Sequence, residues 1–397
     1  MNNRIIPITL AVSDKEQKKR FERMISSSTM VRPADDESDE MGVLVYEPGA
    51  NVEEDLPYII QALESGQAED VYLVGNNADP NILIRAMRSG IREFLQYPVE
   101  ENDFRSAIMR TAMRNSLGVE EGDKGKLFTV LGAKPGVGSS TLAVNLACAL
   151  NAREPGRTAL VDLRRPYGEA HYFLDLSFEY TWADLVEDIT RLDATYLRSV
   201  MSEHSSGLHV LPGPAAAEKP DAQSLHLILE HLRYSYDYVV VDAACSPEED
   251  LPKEIEHADA VLVALQLTLP CLARAARLLE SVRSQDPESD RRIKLVASRV
   301  RKNSNIGLSE AAGVLNREIP WTIPEDADSA LSAINQGTPL VVAYPKSAAA
   351  RSILAIAGEL DPRPAKARKG LSLPFASLFR RKTKSSDGGD NLAGAAL

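Results

Sequence analysis

Cysteine is scarce in this chain. Cys148, Cys245 and Cys271 are the three thiols in 397 residues, scattered without metal-ligand spacing, which fits a reducing cytoplasm and small buried hydrophobes. Long apolar runs are missing as well. The longest candidate, AVLVALQLTLPCLA, holds Gln266 and Pro270 and falls short of the roughly 18 apolar residues a membrane helix needs. The N-terminal MNNRIIPITLAVSD is too short and too proline-interrupted for a signal peptide and reads as a strand. Positive charge is also in deficit: 45 Lys and Arg face 57 Asp and Glu, a formal net charge of −12. That balance argues against general nucleic-acid coating, and no sequence-specific nucleic-acid partner is expected. What remains is a globular composition, 44% hydrophobic and 26% charged, long enough for two cores. The chain reads as cytoplasmic.

Residues 1–118 alternate short apolar runs with amphipathic helical ones, the pattern of a parallel α/β sheet. The strands are IPITLAV, STMV, GVLVYEP, DVYLVG and REFLQYP; the helices between them include KEQKKRFERMIS, DLPYIIQALESG, PNILIRAMRSG and ENDFRSAIMRTAM. Between STMV and GVLV lies an acidic loop too short for a full crossover helix. Residues 119–125, polar and glycine-bearing, read as a linker. Strand–helix alternation resumes on a larger scale over 126–361. Composition then shifts: residues 363–384 hold eight Lys and Arg and no acid, and the last residues look disordered. His226 and His231, five apart on a predicted helix, read as surface residues.

The order of elements in 1–118 resembles a response-regulator receiver domain of flavodoxin-like fold, most closely in RAMRSGIREFLQYPVEENDFRSAI. Gly90 agrees with the receiver pattern. Tyr97, followed by Pro98, stands at the lysine position, Ser13-Asp14 at the acid pair and Tyr46-Glu47 at the phospho-acceptor. A receiver needs carboxylates to hold Mg²⁺ and one to attack phosphate; Tyr46 can do neither. The expectation is an interaction domain on a borrowed scaffold, with Glu47 as a standing negative charge the rival reading.

GAKPGVGSST, residues 132–141, sits between an apolar strand and a helix. That arrangement aims backbone N–H groups and the positive helix end at phosphate. The loop resembles the deviant Walker A of the MinD/ParA ATPases. Lys134 matches the early signature lysine; Gly136, Gly138, Ser140 and Thr141 agree, with Val137 between the glycines. Ala133 and Pro135 replace glycines, and Ser139 replaces the usual loop lysine. That loss forfeits up to about 4 kcal/mol of nominal attraction to phosphate before desolvation offsets it. The resemblance runs over roughly 126–360. TALVDLRRPYG matches a switch segment through Asp162 and Gly168, but Arg164 stands where the family has a second Asp. YSYDYVVVDAACSP matches a Walker B strand ending in Asp242. IKLVASRVRKNSNI matches the strand facing adenine, with Ser298 for asparagine and Arg299 retained. IPEDADSALSAINQGTPLV matches the base loop through Pro324, Glu325 and Asp326.

The resemblance implies a doubly wound P-loop domain that binds ATP and Mg. Lys134, Gly136, Val137, Gly138, Ser139, Ser140, Thr141, Arg299, Pro324 and Asp326 would line the nucleotide. Ser140 and Asp242 would hold Mg²⁺ through water, and Asp162 is a weak catalytic candidate. Ser139 and Arg164 both point to slow or absent hydrolysis. Arg164 or Arg165 could return the positive charge lost at Ser139. The pairing of domains resembles the TadZ/CpaE group of pilus-assembly proteins, which implies a homodimer acting with a secretion ATPase and assembly proteins of tight-adherence pili. In the tail, Leu371, Phe375, Leu378 and Phe379 share one helical face flanked by cations; residues 368–384 could contact an anionic membrane. Alternatives are an active ParA/MinD-type partitioning ATPase on DNA or membrane, and a phosphorylation-responsive regulator.

Overall fold

Two parallel sheets form, because the strand segments are apolar runs that bury both faces. A computed structural model describes residues 5–362 except 29, 36–40, 49–51, 77–85, 87–89, 92, 118–123, 165–167, 190–191, 216–220, 245–254 and 256. The predicted helix at 80–90 therefore lies largely outside the described residues, and so does the tail with its amphipathic segment.

The first sheet takes β1 (Ile6–Ala11), β2 (Val31–Pro33), β3 (Gly42–Tyr46), β4 (Ala68–Gly75) and β5 (Glu93–Gln96) in the order β2-β1-β3-β4-β5, with every pairing parallel. This is the 2-1-3-4-5 doubly wound order. β1 lies between β2 and β3, so the short passage joins strands that are not neighbours. Helix α1 (Lys15–Ser27) starts at Asp14, whose carboxylate accepts from the N–H groups of Glu16 and Gln17, and buries Phe21, Met24 and Ile25 on one face. α2 (Val52–Glu64) and α3 (Glu101–Leu117) complete the described helices of this part.

The second sheet is larger. β6 (Lys126–Gly132), β7 (Thr158–Asp162), β8 (Ser202–Glu203), β9 (His209–Leu211), β10 (Tyr238–Asp242), β11 (Ala260–Leu265), β12 (Ile293–Val300) and β13 (Trp321–Pro324) lie in the order β13-β12-β11-β6-β10-β7-β9-β8. Only β8, against β9, is antiparallel among the described pairings. Its helices are α4 (Ser139–Asn151), α5 (Trp182–Glu187), α6 (Ala194–Val200), α7 (Ala222–Ser235), α8 (Leu269–Gln285), α9 (Pro287–Arg292), α10 (Leu308–Leu315), α11 (Ala327–Asn335), α12 (Leu340–Ala343) and α13 (Ala348–Leu360). α4 is buried almost throughout, from Leu142 to Asn151. Among the described residues no helix is long and apolar enough to cross a membrane.

Both sheets fall within one compact unit, Met1–Leu360. α3 packs against α7, and Met109 of α3 is buried in the core of the larger sheet. The structure also corrects the surface reading of the histidines. His231 is buried, and burial lowers its pKa to about 4. His226 lies 4.3 Å from the His257 ring and is likewise lowered to about 4, by burial first and His257 second. A helical face that meets a second layer buries whatever it carries, and spacing alone did not show that layer.

Lys124 and Gly125, at the end of the predicted linker, are packed. Lys124 pairs with Glu230 at 2.8 Å. Gly125 donates to the Arg233 carbonyl at 2.7 Å, and its own carbonyl accepts from Arg233 Nε at 2.9 Å. A Cβ on Gly125 would stand 1.8 Å from the Tyr236 carbonyl oxygen. Gly125→Ala is therefore expected to destabilise the protein by about 2 kcal/mol or more, read as a lower urea midpoint. A curve superimposable on wild type would contradict the close approach.

Candidate functional site

The loop between β6 and α4 depends on two glycines in left-handed backbone, Gly136 at φ 78° and Gly138 at φ 95°, which L side chains rarely adopt. Gly138 is the N-cap of α4, and no side chain caps the first turn. The N–H groups that open the helix thus face the loop without a side-chain acceptor, the arrangement that suits an anion. The loop is braced from both sides. Ala133 donates its N–H to Ala264 at 2.9 Å. The Ser298 hydroxyl lies 2.6 Å from the Val137 carbonyl and 3.1 Å from that of Leu265. Ser298, which stands where the related strand has asparagine, ties β12 to the loop backbone.

β10 lies between β6 and β7, and Asp242 and Asp162 are register partners on β10 and β7. Two carboxylates are therefore buried side by side at the carboxyl end of the sheet. Asp162 is held by backbone: Oδ1 accepts from the N–H of Arg164 at 3.0 Å and Oδ2 from that of Ala170 at 2.8 Å. A Cβ on Gly168 would come 2.8 Å from Oδ2, which explains the glycine there. Burial raises the Asp162 pKa, while these amides and Arg164 oppose the rise. Its weak catalytic candidacy thus meets a carboxylate already engaged in shaping the 162–170 segment.

Asp242 is fully buried, and neither carboxylate oxygen has a hydrogen bond of good geometry among the described residues. Its polar neighbours are the Ser140 hydroxyl and the Arg164 guanidinium, whose Nη1 lies 3.7 Å from Oδ1. Burial, then the charge of Asp162, pushes its pKa from 3.8 to about 7, with Arg164 and Ser140 pulling the other way. Arg164 Nη1 also donates to Ser139 Oγ at 2.8 Å. A guanidinium thus stands against the residue that occupies the lysine position. Arg165 lies outside the described residues.

An orphaned carboxylate beside a hydroxyl is an all-oxygen donor set of the kind Mg²⁺ takes, with phosphates and water completing the shell. Among the described residues no group of three or more His, Cys, Asp or Glu could hold a metal on protein ligands alone. Asp242 and Ser140 fit a magnesium whose remaining ligands come from outside the chain.

Lys134 is half-buried in the loop, and Thr141 is half-buried in the first turn of α4. The Thr141 carbonyl accepts from the buried Asn145 side chain at 2.8 Å, while Asn145 Oδ1 accepts from the Val341 N–H at 2.9 Å. Asn145 was missed from sequence; the signal was a lone amide inside the apolar run TLAVNLACAL. At the far side, Val300 and Pro324 are register partners. Arg299 just before them is exposed, with a left-handed φ of 51°, a conformation that costs a non-glycine residue about 1 kcal/mol or more. Asp326 precedes α11 without making a side-chain cap bond. Arg299, Pro324 and Asp326 thus gather at one end of the β12–β13 pair, next to the strand residue that braces the loop.

A glycine loop between the first strand and a buried helix of a doubly wound parallel sheet, with an acid on the adjacent strand, defines a P-loop protein. No protein-family model matches the chain. The septum site-determining protein MinD of Thermotoga maritima is 25% identical over 225 residues, 54% of this chain and 81% of that one. The crystal structure of a ParA family ATPase from Chlorobium tepidum matches with a TM-score of 0.55 and 28% identity, covering 58% of this chain and 98% of that one. MinD of Pyrococcus horikoshii, solved with Mg-ADP, shares the fold at a TM-score of 0.51 and 19% identity, over 60% and 96% of the two chains. The chain carries a MinD/ParA-like P-loop ATPase fold.

The buried acid makes a pH prediction. A folded-state pKa near 7 against 3.8 means that stability is full below about 4 and is lost as pH rises towards 7. Asp242→Asn removes that loss. Without nucleotide, its melting temperature should exceed that of wild type by a margin that grows from pH 4 to 7 and then levels off. A margin independent of pH would place the titration elsewhere.

Proposed function

We propose that this protein is an ATP-binding localisation and assembly factor for a tight-adherence type pilus or related secretion machine, working as a nucleotide-stabilised homodimer with slow or no hydrolysis. The observation that carries the nucleotide reading is the fully buried Asp242 carboxylate, without a good hydrogen bond and beside Ser140, at the foot of an uncapped helix start. The Mg-ADP in the related MinD structure supports the same ligand class.

In this reading Gly136, Val137, Gly138, Ser139, Ser140 and Thr141 wrap the phosphates with backbone N–H groups. Lys134, at the position of the signature lysine, reaches across to the phosphates held by the second protomer, which couples nucleotide to dimer. Arg299, Pro324 and Asp326 border the base. Magnesium, when bound, neutralises phosphate charge, and Ser140 with Asp242 would hold it. Asp162 shapes the switch-like segment that carries Arg164. An arginine where the family places an acid removes a group from the region that positions water, so turnover is low.

The assembly role draws on the pairing of this domain with a sheet of 2-1-3-4-5 order, the order of receiver domains. The phosphorylation chemistry of receivers has no counterpart here. The Tyr46 hydroxyl donates to Asp55. Glu47 accepts from the N–H groups of Ser13 and Asp14 at 2.6 and 2.9 Å, while Asp14 is spent capping α1. Such a domain serves as a docking module on the cytoplasmic side of the machine.

Light scattering of the full chain tests the reading. With Mg-ATP the mass should double relative to ADP or no nucleotide, with phosphate release close to background. Lys134→Ala should keep ATP binding and lose the dimer. A mass indifferent to nucleotide, with no ATP bound, would leave a plain scaffold; brisk hydrolysis with retention on DNA would favour a partitioning ATPase.

A further inference from the structure

We propose that Arg164, reaching in from the end of β7, supplies the phosphate-facing cation that the loop itself lacks at Ser139. The inference rests on the nucleotide-binding reading above and assigns the charge within it. Three observations carry it. The guanidinium already touches the lysine position, with Nη1 2.8 Å from Ser139 Oγ. Its backbone is fixed, since the Arg164 N–H donates to the buried Asp162. Its side chain keeps 24% of its surface exposed, so a ligand in the loop can reach it.

The chemistry suits the task. A guanidinium has five N–H donors in a planar fork that matches phosphate oxygens, and Ser139 takes one of them. Between ligands the same group balances Asp242 at 3.7 Å. An ammonium at residue 139 would stand against this guanidinium, and an acid at residue 164 would stand against two buried carboxylates. Serine at one position and arginine at the other are therefore a matched pair: the cation has moved from the helix start to the neighbouring strand end.

The test uses the full-length protein and equilibrium titration with AMP, ADP and ATP, each with Mg²⁺. Arg164→Gln should weaken ATP binding about tenfold to a hundredfold, with a loss that shrinks from ATP to ADP to AMP. Arg164→Asp should be weaker still, and Ser139→Lys should raise ATP affinity more in the Arg164→Asp background than in wild type, the non-additivity expected of two groups that serve one contact. If wild type binds none of the nucleotides, both this inference and the nucleotide reading fall. If wild type binds while Arg164→Gln binds ATP equally well, or loses AMP and ATP to the same degree, the inference alone is overturned. An equal effect of Ser139→Lys in the two backgrounds overturns it as well.

Discussion

A carboxyl group with no exposed surface and no good hydrogen bond must stay neutral or sit beside a cation, and Asp242, with the Arg164 guanidinium 3.7 Å away, is the point around which this site is arranged. Strand order makes the need sharper. β7 and β10 are in register, so Asp162 and Asp242 are buried as neighbours, and the charge of Asp162 adds to burial in raising the Asp242 pKa. Asp162 is relieved by two backbone N–H groups. Asp242 has the Arg164 guanidinium and the Ser140 hydroxyl as polar neighbours. The segment that Asp162 organises delivers Arg164, so one acid shapes the backbone that balances the other.

The remaining parts of the site follow from where parallel strands end. The carboxyl ends of β6, β7, β10 and β12 lie along one edge of the sheet, the usual ligand position in doubly wound sheets. Left-handed glycines turn the chain from β6 into α4, and the Ser298 hydroxyl holds that turn to β12. Arg299, strained and exposed one residue further on, marks the same edge. Strain of this kind persists where surrounding structure over-determines it; here the flanking residues are held by the Ser298 contacts and by the pairing of Val300 with Pro324.

The smaller sheet shows the opposite use of polar groups. Its acids are consumed internally: Asp14 caps a helix, Glu47 is held by two N–H groups, and Asp55 accepts from Tyr46. The Tyr97 hydroxyl is buried without a partner among the described residues, and burial, with the charges of Glu47 and Asp14, raises its pKa. Coupling to the larger sheet runs through α3 and α7, where Met109 enters the larger core.

Much of this was legible in order and pattern. Apolar runs bounded by turns located the strands, and the glycines, Asp162, Asp242 and Ser139 stood out because backbone geometry and charge restrict what those positions tolerate. Local pattern also showed that Ser139 and Arg164 depart from related loops. It could not show that they touch, because residues 25 apart in sequence meet only through the register of β6, β10 and β7. Nor could helical spacing tell that His231 faces a second layer, that Asn145 links α4 to α12, or that Ser298 braces the loop. Those contacts join separate elements, and only the packing of one layer on another brings them within hydrogen-bond reach.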